Sequence, residues 1–408
     1  MTAEELDEWG ADFFAFCARF NDVFGRKESR TQASKYLRGL LSAVPRKNGW
    51  QLAEAMGDTV PDPTQRLLYR TLWSADMTRD LLQKYIIEGF ADEDGIGVVD
   101  ETGFIKKGNR SVGVKRQDSG TAGKIENCQI GTFLSYATVK GHVFLDRRLY
   151  LPKEWCNDPE RREQAKVPEE VVFQTKPEQA MAMLEHAWQQ GVPMRWVAGD
   201  EAYGDSTELR DLVARKERWY VLTVRTPTQV WIQRPSVVEP GPQERGRPRT
   251  KVRLADGAAP ATTVKEVAAC WPENGWQRLA VTEGEKGLIT YDWAYQRVVE
   301  SRDGLPGPDA WLLVRRSISD LTESACYLSN ASADTPLAKL AQVASTRYTI
   351  EQCIEEAKGE TGLDDYEVRY WHSWHRHITL SMMAHAWLGS VRRKATEKKG
   401  GLSPFLPN

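Results

Sequence analysis

Hydrophobic spacing divides the chain into stretches of different character. Over residues 1–90 the apolar positions recur at helical intervals: Leu6, Trp9, Phe13, Phe16, Cys17 and Phe20, then Ala33, Tyr36, Leu37, Leu40, Leu41 and Val44. Pro45 and Gly49 break the second helix. Trp50–Met56 forms a short helix, and Thr64 is placed to cap one carrying Leu67, Leu68 and Leu72. A last helix carries Met77, Leu81, Leu82 and Tyr85. From Gly95 the period changes to that of strands. Ile96, Val98 and Val99 read as a buried strand that ends at Asp100, with Gly95 and Gly103 as turns. Strands follow at Val112–Val114, Gln129–Ala137 and His142–Leu151. Pro177 opens a helix, Met194–Gly199 is a second apolar run ending in an aspartate, Asp200, Ser206 caps another helix, and Trp219–Val224 is a strand. Strands interleaved with crossover helices predict a mixed α/β sheet.

Residues 226–325 break this rhythm, with dense proline and glycine from Pro235 to Pro260 and short alternating strands such as Leu279–Thr282 and Trp311–Val314. They read as a β-rich insertion with a basic loop. The expected organisation is a helical domain over 1–90, a core over 91–225, the insertion over 226–325, a second core segment over 326–395 and a tail over 396–408.

Composition narrows the class without deciding it. A chain of 408 residues with 41% hydrophobic and 27% charged residues supports a large globular core. It has no apolar run long enough for a membrane span and no basic-then-apolar leader, so a cytoplasmic protein is expected. Six scattered cysteines without a Cys-x-x-Cys pair predict buried thiols. The net charge of −2 does not advertise nucleic acid, but basic clusters do occur. Lys106, Lys107, Arg245, Arg247, Arg249, His375 and Arg376 are candidate phosphate contacts; the competing reading for each is solvated surface or packing. The same choice holds for Arg30, Lys35, Arg38, Arg46, Lys47 and Arg66 in the N-terminal helices.

The most informative helix is Thr346–Lys358. At about 100° per residue, Arg347, Glu351 and Lys358 share one edge, beside an apolar stripe of Ile350, Cys353, Ile354 and Ala357. Alone this is an ordinary salt-bridge ladder. With Asp100 and Asp200 it becomes a set of three carboxylates, which repel unless a cation neutralises them. Oxygen ligands suit Mg²⁺ or Mn²⁺, and two such ions about 3.5–4 Å apart serve phosphoryl transfer. Arg347 and Lys358 are suited to hold phosphates.

These residues resemble the DDE triad of ribonuclease H-like transposases: Asp100 and Asp200 on strands, Glu351 on a late helix. Arg347-x3-Glu351-x6-Lys358 is similar to most of the Y-x2-R-x3-E-x6-K signature of the IS4-type superfamily. Gly362–Arg369 and Trp374–Thr379 are most similar to the IS701 branch. The signature tyrosine is Ala344 here, with Tyr348 as one substitute. The resemblance implies a ribonuclease H-like mixed sheet with flanking helices, an N-terminal helical domain and a β-rich insertion before the last catalytic helix. It also implies two Mg²⁺ or Mn²⁺ ions on Asp100, Asp200 and Glu351, with Glu355 and Glu356 as alternative third ligands. Its partners would be double-stranded DNA, at terminal inverted repeats and target, and a second copy of the chain at paired ends. Relatives stack a flipped base on an aromatic, making Trp231, Trp271, Trp276, Trp293 and Trp311 candidates. Alternatives are a DNA-binding protein without cleavage and a nuclease without strand transfer. Zinc held by His372, His375 and His377 is disfavoured, because His377 points away from the other two on a helix. No sugar platform or serine-nucleophile elbow supports a glycosidase or serine hydrolase.

Overall fold

A computed structural model describes residues 3–120, 123–241, 250–284 and 287–398. In chain order the helices α1 (Ala3–Ala18), α2 (Asn21–Phe24), α3 (Lys27–Leu40), α4 (Gly49–Ala55), α5 (Asp62–Tyr69) and α6 (Ala75–Phe90) come first. Strands β1 (Gly95–Ile105), β2 (Lys115–Ser119), β3 (Lys124–Thr138) and β4 (Gly141–Leu149) follow. Then come α7 (Lys153–Cys156), α8 (Pro159–Gln164), α9 (Lys176–Gln189), β5 (Met194–Gly199), α10 (Glu201–Gly204), α11 (Thr207–Arg215) and β6 (Trp219–Val224). The β-rich stretch holds β7 (Gln229–Trp231), β8 (Val237–Val238), β9 (Arg253–Leu254), β10 (Thr262–Thr263), α12 (Val264–Ala269), β11 (Gln277–Gly284), β12 (Gly287–Arg302), β13 (Leu305–Arg316) and β14 (Ser324–Ser329). Helices α13 (Leu337–Thr346), α14 (Tyr348–Thr361) and α15 (Trp371–Lys398) close the chain. This is the expected mixed α/β architecture with flanking helices. No helix among the described residues is long and apolar enough to cross a membrane.

The chain forms two compact units, one running to Arg195 and resuming at Arg347, the other spanning Trp196–Thr346. In the first, β3 pairs antiparallel with β1, β2 and β4. Helix α14 lies across β1, β3 and β4, and α15 packs on α14, β4 and the N-terminal helices α3, α5 and α6. The helical stretch is therefore part of one core rather than a separate module. Phe20, Leu37, Leu40, Leu82 and Ile86 are fully buried in it, as are Ile378, Leu380 and Met382 of α15. Arg46 pairs with Glu367 at 2.9 Å, and the Lys47 ammonium donates to the Glu360 carbonyl. Those two basic residues tie the helical stretch to the end of α14. There Gly362, at φ +62°, takes the left-handed C-cap, and a Cβ would collide with the Lys47 side chain.

In the second unit β5 and β6 are parallel, and β6, β14, β13 and β12 continue antiparallel, with β7 and β11 both on β12. Composition placed the insertion at 226, but its strands run on from β6, so the compact unit begins earlier.

Several local expectations change. β1 does not end at Asp100: backbone pairing with β3 continues from Asp100↔Phe133 to Ile105↔Cys128, which places Asp100 mid-strand and makes Gly103 a strand residue. Val112–Val114 is a turn with Gly113 at φ +74°, and the strand starts at Lys115. Thr64 lies inside α5, which starts at Asp62 because Pro63 fits the first helical turn; Leu72 lies beyond the helix, 92% exposed. Among the cysteines, Cys128, Cys326 and Cys353 are buried, whereas Cys270 is exposed.

Candidate active site

Side chains alternate along β1, so Asp100, Thr102 and Phe104 share one face and Glu101 takes the other. Glu101 pairs there with Lys176, which removes it as a ligand for anything near Asp100. Asp100 Oδ1 accepts a 2.7 Å hydrogen bond from the Glu101 backbone N–H, leaving Oδ2 toward α14. Arg347 Nη1 stands 3.9 Å from that oxygen and 2.7 Å from Glu351 Oε1. One guanidinium thus bridges a carboxylate from β1 and another from the first turn of α14. Two turns further along α14, Lys358 Nζ donates to Thr102 Oγ1 at 3.0 Å and lies 5.8 Å from the Phe104 ring centroid. Seven residues of helix rise about 10 Å, and the two to four strand residues from Asp100 to Thr102 and Phe104 span about 7–13 Å. The helix therefore tracks the strand in the same direction, which brings all four predicted residues to one edge.

Electrostatics follow from this packing. Burial works against the charge on Arg347, but Glu351 and Asp100 outweigh it and hold the guanidinium more firmly protonated than usual. Burial lowers the Lys358 ammonium pKa, against the pull of Asp364 and Glu355. The Glu351 side chain is 44% exposed and that of Asp100 15%, so the two oxygens meet at a wall open to solvent. A donor set of carboxylate oxygens already gathered around a cation is chemically suited to a hard divalent ion.

Asp200 belongs to the second unit. It follows the last residue of β5, as expected, and its carboxylate caps α10 by accepting from the Ala202 N–H at 2.9 Å. Beside it Tyr203 is fully buried, and Asp205 pairs with Arg225.

Other predicted contacts fall elsewhere. Glu356 points to the opposite side of α14 from Glu351 and receives Arg392 at 2.7 Å and both His142 and His385, so it is no alternative to Glu351. Burial opposes its charge, yet those two imidazoles and the guanidinium hold its carboxyl well below the usual range. Lys106 turns inward. Its Nζ sits 3.6 Å from the Tyr366 ring centroid and donates to the Tyr366 carbonyl, and burial lowers its pKa to about 8. Lys107 remains exposed. Arg376 is buried and spends both Nη atoms on the carbonyls of Leu68 and Trp73, 3.0 and 2.8 Å away. His375 packs against Trp371 and Trp374, donates to the Trp371 carbonyl, and is pushed by burial down to about 4. Neither is free to meet a phosphate. Arg245, Arg247 and Arg249 lie outside the described residues. Trp231, Trp293 and Trp311 are core residues; Trp271 and Trp276 are half-exposed and pack together at 6.4 Å, with Arg316 over Trp276. Tyr348 lies under the Arg347 guanidinium at 4.9 Å.

Sequence reasoning missed Thr102, which fixes Lys358. Its signal was available in the strand period, two residues from Asp100.

The sequence pattern of the DDE superfamily endonucleases matches residues 19–288, more than half of the chain. The chain belongs to the DDE superfamily endonuclease family. Among curated relatives, a probable transposase for insertion sequence element IS701 from Microchaete diplosiphon is 27% identical over 193 residues, 47% of each protein. The chain thus spans about half the length of that relative. The structure of a piggyBac transposase synaptic complex with hairpin DNA aligns over 93% of this DDE family member and 68% of the piggyBac chain, at 9% identity and a TM-score of 0.46.

Proposed function

We propose that this DDE family member is an insertion-sequence transposase that cuts transposon ends and joins them to target DNA by metal-dependent phosphoryl transfer. The observation that carries the reading is the meeting of Asp100 and Glu351 at Arg347 on the β1 edge, with Lys358 beside them. Asp200 completes the acidic set, with Mg²⁺ or Mn²⁺ as the ions and two ions as the expected number. When bound, such ions supply Lewis-acid stabilisation of the attacking and leaving oxygens of a phosphodiester.

The residues of the chain do the rest. Asp100, with one oxygen tied to the Glu101 N–H, presents the other in a fixed direction. Glu351, half-exposed in the first turn of α14 and held by Arg347, is open to solvent on the side from which a DNA strand would approach. Arg347, paired with both carboxylates, is the residue whose planar fork would hold the scissile-strand phosphate once those carboxylates served as metal ligands. Lys358, steadied by Thr102 and partly buried, adds a second positive contact at a fixed distance along the strand. Lys107 is the exposed basic residue placed to extend the DNA path; Lys106, His375 and Arg376 support the frame instead. The partners are double-stranded DNA and, at paired ends, a second copy of this chain. A protein of this kind works at the bacterial nucleoid.

The test is cleavage and joining with the element's terminal repeats in Mg²⁺. Asp100→Asn is expected to lower end cleavage by about 10³-fold or more, the scale of several kcal/mol of lost charge stabilisation, while DNA binding persists. A variant that cuts normally rejects the assignment. Cutting without joining of pre-cut ends would leave a nuclease and remove strand transfer from the reading.

A further inference from the structure

A second constellation sits on the reverse side of α14. At about 100° per residue, Cys353 and Glu356 lie within about 60° of one another and opposite Glu351 and Lys358. Cys353 is fully buried, and beside it come His142 from the start of β4 and His385 from the middle of α15, 7% and 2% exposed. The Cys353 sulfur and one nitrogen from each imidazole lie within 4.8 Å of one another. The two rings are stacked, 6.3 Å between centroids and 27° apart in plane. Both Nε2 atoms face a single oxygen, Glu356 Oε2, at 3.3 and 3.2 Å.

A carboxylate accepts only, so each Nε2 that bonds to it carries the proton, and each Nδ1 is left with the lone pair. On His385 that Nδ1 is buried and has no hydrogen-bond partner. A bare lone pair buried in a core is costly unless something binds it. A shared carboxylate holding two imidazoles in one tautomer is the arrangement that metal-ligating histidines ordinarily show. Sulfur with two imidazole nitrogens is a donor set for zinc-like ions and a poor one for Mg²⁺ or Mn²⁺. Around zinc, ligand atoms at 2.0–2.3 Å in a tetrahedron are about 3.3–3.8 Å apart, so a closure of about 1 Å, within side-chain reach, brings three of the four tetrahedral positions together and leaves the fourth to water.

We propose that His142, Cys353 and His385 bind one zinc-type divalent cation, with Glu356 orienting both imidazoles and Arg392 balancing its charge. The ion fastens α14 to β4 and α15 from behind and so fixes the helix that presents Glu351 on its other side. This site is chemically distinct from the carboxylates at Asp100, and it stands whether or not the chain transposes DNA.

Metal content of the full-length protein tests it. After purification and dialysis, about one zinc per chain is expected, the stoichiometry of a single site. It should be retained in Glu351→Gln and lost in Cys353→Ala and His385→Ala. Cobalt added to the metal-free wild-type protein should give the intense near-ultraviolet absorption of a thiolate–cobalt bond, which an all-oxygen site cannot produce. The cobalt measurement needs no variant to fold. Wild-type protein that binds neither zinc nor cobalt through sulfur overturns the proposal, as does zinc retained undiminished in the Cys353 and His385 variants.

Discussion

Two groups of acidic residues and arginine lie on the strands that flank β3 in one unit, and they differ in how far solvent reaches them. On β4, Asp146 is fully buried. Its Oδ1 accepts from the Arg147 backbone at 2.8 Å and from Arg79 and Arg147 side chains at 3.2 and 3.3 Å. Arg147 is 1% exposed and continues to Thr379 of α15 and Asp76 of α6. Every carboxylate oxygen there is committed to the fold. On β1, Asp100 and Glu351 share one arginine, and the Glu351 side chain is 44% exposed, so solvent reaches the pair. Residue type does not separate the two groups. Exposure does.

The contrast breaks most sharply under paired substitution. Glu351→Gln should lower end cleavage by about 10³-fold with thermal stability unchanged, since an exposed helix-start carboxylate contributes little to folding. Asp146→Ala should do the reverse. It removes the buried carboxylate that Arg79 and Arg147 share and costs about 3–5 kcal/mol, read as a lower urea midpoint, while the fraction that remains folded still cuts. A stable Asp146→Ala protein without activity would move that group into the chemistry.

A smaller effect, in pH rather than activity, marks the structural side. His377 is fully buried on α15, taking a hydrogen bond from the Tyr36 hydroxyl at Nδ1 and donating from Nε2 to the Gly362 carbonyl. Burial lowers its pKa from 6.5 to about 4. Between those values the unfolded chain binds a proton that the folded chain refuses, so stability is full above pH 6.5 and falls as the pH drops toward 4. The loss is about 3 kcal/mol over that window. Unfolding curves across it should flatten in His377→Gln, and an unchanged slope would remove His377 as the source.

Arg347→Lys sharpens the active side with the smallest expected change. A point charge replaces a planar fork, and loss of one charged hydrogen bond of about 1–3 kcal/mol lowers cleavage by roughly 10- to 100-fold at constant stability. Full activity in the lysine variant would reduce Arg347 to simple charge balance.

Much of this was legible in the chain. The 3.6-residue spacing from Thr346 onward put Arg347, Glu351 and Lys358 on one edge, and the structure joins them to Asp100 and Thr102. The apolar run before Asp200 did end at that residue. The run before Asp100 did not, because Gly103 and Phe104 stay in register with β3, and pairing across 30 residues is invisible to a local turn signal. Charge clusters misled at Lys106, His375 and Arg376. A basic residue reads alike in sequence whether it faces water or a ring; Tyr366 takes Lys106 inward, and the packing of α15 takes His375 and Arg376. The cluster behind α14 was out of reach for a related reason: His142 and His385 are far apart in sequence and meet only through β4 and α15.

The central claim is that Asp100, Asp200 and Glu351 share divalent ions. Replacing Mg²⁺ with Fe²⁺ and adding peroxide and ascorbate cuts the backbone next to bound iron, and fragment masses locate the cuts. The account predicts Mg²⁺-suppressible cuts beside all three residues, and their joint loss in Asp100→Asn. Cuts near residues 100 and 351 with none near 200, or cuts that survive in the variant, would contradict it.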